Sequence, residues 1–225
     1  SAVIFEDEKV TIPEGEQAKF DALPPEYSQL YLAIEGVLSA VICISDPLRE
    51  EAKDVLSALR GLGVKNAVML TGDSPRTAAA IAAQLGVDDF QAGVLPADKA
   101  DYVAALRREG HTVLMVGDGI NDSPALSEAD AGIAISDGAA IAREIADITI
   151  AADSLWELVR LRQLAMALMH RIQNNYRFVI GFNGVLIGLG VAGILPPATS
   201  AMLHNLSTLG VSLHSMSALP MSKTE

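Results

Sequence analysis

From Phe178 to Ser222 the chain contains no Asp, Glu, Lys or Arg, a run of 45 residues in a protein of 225. That length leaves room for two apolar spans of about 20 residues each. Phe178–Leu195 alone would rise about 27 Å as a helix, close to the hydrocarbon thickness of a bilayer. Pro196-Pro197 breaks the run, and a second apolar stretch follows over Ala198–Leu219. The expectation is a pair of transmembrane helices over about 176–195 and 198–219. Arg171 and Arg177 precede the pair and Lys223 follows it. Positive flanks face the cytoplasm, so both ends should lie inside an integral membrane protein whose remainder is cytoplasmic. The competing reading is a buried core hairpin of a soluble protein, and a charge-free run this long argues against it.

All of the formal charge of −12 lies before residue 178. So acidic a segment excludes a nucleic-acid binder, since phosphate backbones demand Lys and Arg. It suits a protein that handles cations. The single cysteine, Cys43, rules out an internal disulfide and fits a reducing compartment. The start, SAVIFEDEKV, is polar, has no secretory leader and lacks an initiator Met, so the chain reads as a fragment.

A short strand is expected at Ala2–Phe5 and a two-stranded hairpin at 30–36 and 37–44. Asp46-Pro47 should open a helix with Pro at its first position, running to about Leu62. Thereafter strands at 66–72, 90–94, 111–119, 131–136 and 147–151 alternate with helices at 77–86, 97–110, 123–130 and 139–146. This alternation implies a parallel sheet with helices on both faces, with ligands at the carboxyl ends of the strands. Residues 154–173 continue as one long helix into the charge-free run.

Three strand-end loops collect chemistry. Thr71-Gly72-Asp73 follows one strand, Gly117-Asp118-Gly119-Ile120-Asn121-Asp122 another, and Pro96-Ala97-Asp98-Lys99 opens the helix between them. Paired carboxylates with an Asn suit a hard divalent cation such as Mg²⁺, usually completed by a phosphate. A Thr hydroxyl and a Lys ammonium at neighbouring strand ends could bind phosphoryl oxygens. Each loop alone is also ordinary turn chemistry; the three together in one alternating sheet favour a site.

LTGDSPRTAAAIAAQLGV (70–87), LPADK (95–99) and MVGDGINDSPALSEADAGIAI (115–135) resemble the phosphorylation domain of P-type ATPases, within the haloacid dehalogenase superfamily. SDPLREEA (45–52) resembles the hinge from their nucleotide-binding domain. Residues 158–184 and 203–215 resemble the last membrane pair of the heavy-metal-transporting members. The resemblance implies an α/β fold: a Rossmann-like haloacid dehalogenase parallel sheet lacking its first strand, followed by a transmembrane α-helical hairpin. It divides the chain into the end of a nucleotide-binding domain and hinge (1–45), a phosphorylation domain (46–153), and a long helix with two membrane helices (154–225). It implies that Asp118 holds Mg²⁺ with Asp122 and Asn121 in support, that Thr71 and Lys99 contact the phosphoryl group, and that Gly72 and Asp73 shape the loop. The family's phosphate acceptor is an Asp in a DKTGT motif, and no DKTGT occurs here. The acceptor, most of the ATP site and the rest of the pump chain would then lie outside these residues, and this fragment alone should be inactive.

Polar groups within the expected spans are Asn183, His204, Asn205, Ser207, Thr208 and His214. Such groups are costly in a membrane and often functional. His204 and Thr208 share a helix face. Contact with a transported cation is favoured for His204, with Asn205 and Thr208 as further candidates. Interhelical hydrogen bonding is favoured for Ser207 and Asn183, and the two readings divide evenly for His214. Copper-transporting members of the resembled family carry a Met-Ser-Ser type motif here, and zinc and cadmium pumps usually an Asp. Another branch carries His-Glu-Gly-Ser-Thr, and His204-Asn205-Leu206-Ser207-Thr208 is nearest to it, without the carboxylate. Met202 and Met216 are expected to pack against neighbours. Imidazole suits borderline metals, so Zn, Cd, Co or Mn is favoured over Cu⁺ as cargo. Two alternatives differ in class: a membrane-tethered phosphatase, for which Asp46 is the candidate nucleophile but lacks a second Asp two residues on, and an inactive metal-binding or regulatory membrane subunit.

Overall fold

The computed structural model describes residues 5, 9–24, 27–44, 47–118, 121–135, 144–150 and 154–219. The expectations for Ala2–Ile4, Asp46, Gly119, Ile120 and Lys223, and most of the helix expected at 139–146, lie outside the described residues. The chain forms two compact units, Ser1–Glu157 and Leu158–Glu225.

The first unit opens with a short helix α1 (Gln17–Asp21) and an antiparallel hairpin, β1 (Ser28–Ile34) and β2 (Val37–Ile44). Glu35 and Gly36 turn the hairpin, both at positive φ (51° and 78°), as a two-residue turn matched to strand twist requires. Phe5, Phe20 and Tyr31 form an aromatic cluster with ring centroids 5.2–5.9 Å apart. Phe5 and Phe20 therefore bring their own packing to the hairpin. Leu30, Leu32, Ile34, Ile42 and Ile44 remain more than half exposed.

The α/β part follows in order as α2 (Ala52–Gly61), β3 (Val68–Leu70), α3 (Pro75–Leu85), β4 (Asp89–Gln91), α4 (Pro96–Arg108), β5 (Leu114–Gly117), α5 (Ser123–Glu128), β6 (Ala131–Ile135) and β7 (Ile148–Ile150). Helix α2 starts five residues after Pro47, so Pro47 is not at its first position as expected. Glu51 lies just before the helix, and its carboxylate accepts from Ser154 Oγ at 3.0 Å and from the Leu155 amide at 2.5 Å. Helix α3 begins two residues earlier than its apolar period suggests. Ser74 accepts the Thr77 amide at 3.3 Å, Pro75 takes the first position, and Gly86 ends the helix at φ 70°.

All pairings in this part are parallel, as the alternation predicts. They do not make one sheet, however. Among the described residues β3 pairs only with β4, and β5-β6-β7 form a separate patch. Strands β3 and β5 are each the edge of their patch, and Leu114 and Val116 of β5 are 50% and 36% exposed, although parallel strands normally have both faces covered. The core sits where α5 meets β6: Ala125, Leu126, Ile133 and Ala134 are at most 1% exposed. A Cβ on Gly132 would lie 2.5 Å from the Leu126 carbonyl oxygen, so only glycine lets strand and helix approach this closely.

The same reciprocal contact holds the start of each patch. The Asp88 amide donates to the Ala67 carbonyl at 2.8 Å, and the Ala67 amide donates back to Asp88 Oδ2 at 2.7 Å. The Asp130 amide donates to the Val113 carbonyl at 3.0 Å, and the Val113 amide donates back to Asp130 Oδ2 at 2.8 Å. Arg60 and Arg107 add ion pairs of 2.9 and 3.1 Å to these carboxylates. Asp147 repeats half of the pattern, accepting the Gly132 amide at 2.8 Å.

The second unit is a helix pair, α6 (Trp156–Val191, 36 residues) and α7 (Pro197–Ser215, 19 residues). Cross-links run in antiparallel order: Arg171 to the carbonyls of Ser217 and Ala218 at 2.5 and 2.9 Å, Asn175 to Ser215 Oγ at 2.8 Å, and Asn183 to His204 at 2.8 Å. The structure does not show the expected spans. Among the described residues no helix is long and apolar enough to cross a membrane. Helix α6 ends at Val191, leaving Ile194 and Leu195 outside it, and its neighbouring turns carry Asn174, Asn175 and Arg177. In α7, Ser, Thr, His and Asn dilute the apolar residues. No residue of α7 is buried, and Met202 and Met216, expected to pack, are 56% and 82% exposed.

Candidate functional site

The chemistry-bearing residues stand at the carboxyl ends of β3 and β5 and in the first turn of α4. After β3, the Thr71 hydroxyl donates to Asp73 Oδ2 at 2.8 Å, and the Asp73 amide donates to Thr71 Oγ1 at 3.1 Å. The other oxygen of Asp73, Oδ1, accepts from Ser28 Oγ at 3.1 Å, which ties the β1 strand to this loop. The Thr71 amide donates to the Gln91 carbonyl at 2.9 Å and the Val94 amide to the Thr71 carbonyl at 3.0 Å. Gly72 is exposed between them.

After β5, Asp118 and Asn121 are exposed, and Asp122 turns back under the strand. Its carboxylate lies against Gly117, where a Cβ would overlap it. Lys99 Nζ donates to Asp122 Oδ1 at 2.7 Å, both side chains being only 14% exposed. A lysine in the first turn of a helix is at the wrong end of the helix dipole. Asp122 offsets that cost, and Pro96 with the Leu95 amide donating to Asp98 Oδ2 at 3.2 Å fixes the turn that presents Lys99.

The structure thus brings Lys99 to Asp122 and Thr71 to Asp73. The hydrogen bonds given above for the Thr71 loop run to Ser28, Gln91 and Val94. A cavity of about 270 Å³ beside that loop is lined by Ser28, Arg49, Asp73 and Thr77, away from the carboxylates of the β5 loop. Among the described residues no three His, Cys, Asp or Glu side chains cluster as a metal cage. Two carboxylates and an amide from one loop nevertheless suit Mg²⁺, which keeps waters and substrate oxygens in its shell.

In the helix pair, His204 Nδ1 and Asn183 Oδ1 are 2.8 Å apart. Ser207 and Thr208 both donate their hydroxyls to the His204 carbonyl, at 2.8 and 3.1 Å. Asn205 is exposed. The His204 ring, its carbonyl and Thr208 therefore form one small polar group, which Asn183 joins from the other helix. Sequence reasoning missed the Ser28–Asp73 tie and the Asp122–Gly117 contact. A Gly at the end of an apolar strand, five residues before an Asp, was the available signal for the second.

The haloacid dehalogenase-like hydrolase family matches residues 5–130. A manganese-exporting P-type ATPase of Mycobacterium leprae (strain TN) is 43% identical over 183 residues, covering 81% of this chain and 25% of that protein. Copper-transporting ATPase 1 of Rhizobium meliloti (strain 1021) is 43% identical over 176 residues, covering 78% of this chain and 21% of that protein. Among solved structures, a zinc-transporting PIB-type ATPase in its E2·Pi state matches with a TM-score of 0.78 at 33% identity, over 91% of this chain and 34% of that one. The chain spans about a quarter of the length of the curated relatives it matches. It belongs to the haloacid dehalogenase-like hydrolases, in their heavy-metal P-type ATPase branch.

Proposed function

We propose that these residues are the phosphorylation half-site and last helix pair of an ATP-driven transition-metal pump. The observation that carries this reading is the Lys99–Asp122 ion pair, which joins two of the three strand-end loops in one largely buried contact. Residues 1–45 are read as the end of the nucleotide-binding domain, 46–153 as the phosphorylation domain and 154–225 as the membrane end. The open edges of β3 and β5 suit an additional parallel strand, which would carry the acceptor Asp from the part of the pump outside these residues.

Asp118 and Asp122, with Asn121 in support, would hold Mg²⁺, which when bound neutralises charge on a transferring phosphoryl group. Lys99 holds Asp122 in place and adds positive charge beside it. Thr71, whose proton is now given to Asp73, would turn its hydroxyl to a phosphoryl oxygen, with Gly72 leaving that side of the loop open. The exposed apolar surface of the helix pair, with Val191 85% exposed, supports its placement among lipid and the other pump helices despite its polar interruptions. The names of the relatives include manganese, zinc and copper. A borderline divalent cation fits His204, Asn205 and Thr208 best, since imidazole and hydroxyl offer no thiolate for Cu⁺.

Asp118→Asn in the complete pump tests the site. It should remove most Mg²⁺-dependent phosphoenzyme, because a charged ligand becomes neutral. Wild-type phosphoenzyme in that variant would sink the assignment.

A further inference from the structure

Asp73 has both carboxylate oxygens engaged, one by a neighbour and one by a distant part of the chain. Oδ2 accepts the Thr71 hydroxyl at 2.8 Å, and Oδ1 accepts the hydroxyl of Ser28, 45 residues earlier, at 3.1 Å. An ionised carboxylate only accepts, so both hydroxyl protons point at Asp73. The Asp73 amide in turn donates to Thr71 Oγ1 at 3.1 Å, so Thr71 and Asp73 hold each other. Ser28 is itself held. It opens β1 in register with Ile44 of β2, and the segment before it is fastened to the first turn of α3 by Arg76, which donates to the Leu23 carbonyl at 3.0 Å. Ser28, Thr71 and Asp73 are all half-buried. The torsion that turns an Asp carboxylate is broad, so a single hydrogen bond aims it poorly. Held at both oxygens, it cannot turn without breaking one of the two bonds.

We propose that Ser28 is a positioning residue for Thr71: by fixing Asp73 Oδ1 it aims Oδ2, and so sets where the Thr71 hydroxyl stands when a phosphoryl oxygen arrives. This rests on the reading of Thr71 as a phosphoryl contact. Ser28 touches neither the phosphoryl group nor Mg²⁺ in this role; its effect passes through Asp73. On the division of the chain proposed above, Ser28 belongs to the end of the nucleotide-binding domain and Asp73 to the phosphorylation domain, so the order of the Thr71 loop depends on contact between the two. The cavity of about 270 Å³ lined by Ser28, Arg49, Asp73 and Thr77 lets water reach Asp73 once the serine hydroxyl is gone. Water would donate to Oδ1 without fixing its direction. The loss should then be partial, about the tenfold that one hydrogen bond to a charged group accounts for.

The test uses the complete pump and follows its phosphorylation by ATP in a single turnover. Ser28→Ala should lower the rate constant at saturating ATP about tenfold and leave the ATP concentration for half-maximal rate unchanged. Ser28→Thr keeps the hydroxyl and should restore most of the rate. The Mg²⁺ concentration for half-maximal phosphorylation should be that of wild type in both variants, because the carboxylates read as holding Mg²⁺ lie on the other loop. In a Thr71→Ala background Ser28→Ala should cost nothing further, since no hydroxyl is left to aim. A purely structural role would instead add its full cost in that background. A full-rate Ser28→Ala protein, no recovery in Ser28→Thr, a raised half-maximal ATP concentration at an unchanged rate constant, a shifted Mg²⁺ requirement, or a further tenfold loss in the Thr71→Ala background would each overturn the positioning role. A wild-type rate in Thr71→Ala would overturn the phosphoryl-contact reading beneath it. Impairment of Thr71→Ala with none in Ser28→Ala would overturn the positioning role alone.

Discussion

Lys99 Nζ and Asp122 Oδ1 meet at 2.7 Å across 23 residues of chain, with both side chains 14% exposed. Removing one member of so buried a pair leaves the other charge without a partner. Lys99→Ala should therefore cost about 3 kcal/mol in stability. Lys99→Met with Asp122→Leu should cost less than Lys99→Ala, because no lone charge remains. Urea unfolding of the three proteins checks the order, and equal midpoints for Lys99→Ala and wild type would show the pair to be energetically idle.

Glycine is required at two places by neighbours. Gly132→Ala would push a methyl into the Leu126 carbonyl, a backbone atom that cannot rotate away, and should destabilise the fold by about 2 kcal/mol. Gly117→Ala meets the Asp122 side chain instead, which can move only by leaving Lys99. Its stability loss should be smaller than that of Gly132→Ala, and its loss of phosphoenzyme in the complete pump larger. Denaturant midpoints and phosphoenzyme levels distinguish the two.

Asp88 is held below the usual carboxylate range first by the Ala67 amide and then by Arg60. Asp130 is held below it first by the Val113 amide, with Arg107 assisting. A carboxylate with a lowered folded-state pKa contributes its stability above the unfolded value. That contribution fades as pH falls through the lower folded value. The α/β part should lose stability below about pH 4 more steeply than an Asp88→Asn, Asp130→Asn double variant, and the two curves should converge in strong acid. Parallel curves across that range would refute the coupling.

Arg171 caps the end of α7 by donating to the Ser215 carbonyl at 3.3 Å, and holds the residues after it through the carbonyls of Ser217 and Ala218. Arg171→Ala should cost about 1 kcal/mol locally. The expected sign is faster amide hydrogen exchange near residues 215–219, with the Asn183–His204 region unchanged. Equal exchange in both proteins would show that the cap adds nothing.

The alternation of apolar strands and capped helices was legible because each element is short and bounded by Gly, Pro or Asp. Thr71, Lys99, Asp118 and Asp122 were legible as candidates because TGD, PADK and GDGIND concentrate charge and glycine at strand ends. The division of the sheet into two patches was not legible, since periodicity reports which residues are apolar and not which strands become neighbours. Nor was the start of α2, where the side chain of Glu51 is taken by Ser154 and Leu155 about a hundred residues away. In the helix pair, counting charges suggested two clean spans. Asn, His, Ser and Thr carry no charge and escaped that count, yet they lower the apolarity of both helices, and Asn175 with Ser215 and Asn183 with His204 join the helices beside Arg171.

The aspartates that pin Ala67, Val113 and Gly132 all stand at the amino-terminal ends of the strands, whereas Thr71 and Asp118 stand at the carboxyl-terminal ends. Each patch is thus fastened like a fan at its handle. At the carboxyl-terminal end of the β3–β4 pair the strands are joined by backbone bonds instead, the Thr71 amide donating to the Gln91 carbonyl at 2.9 Å. Side-chain fastening of the strands and the candidate site residues thus occupy opposite ends of the same strands.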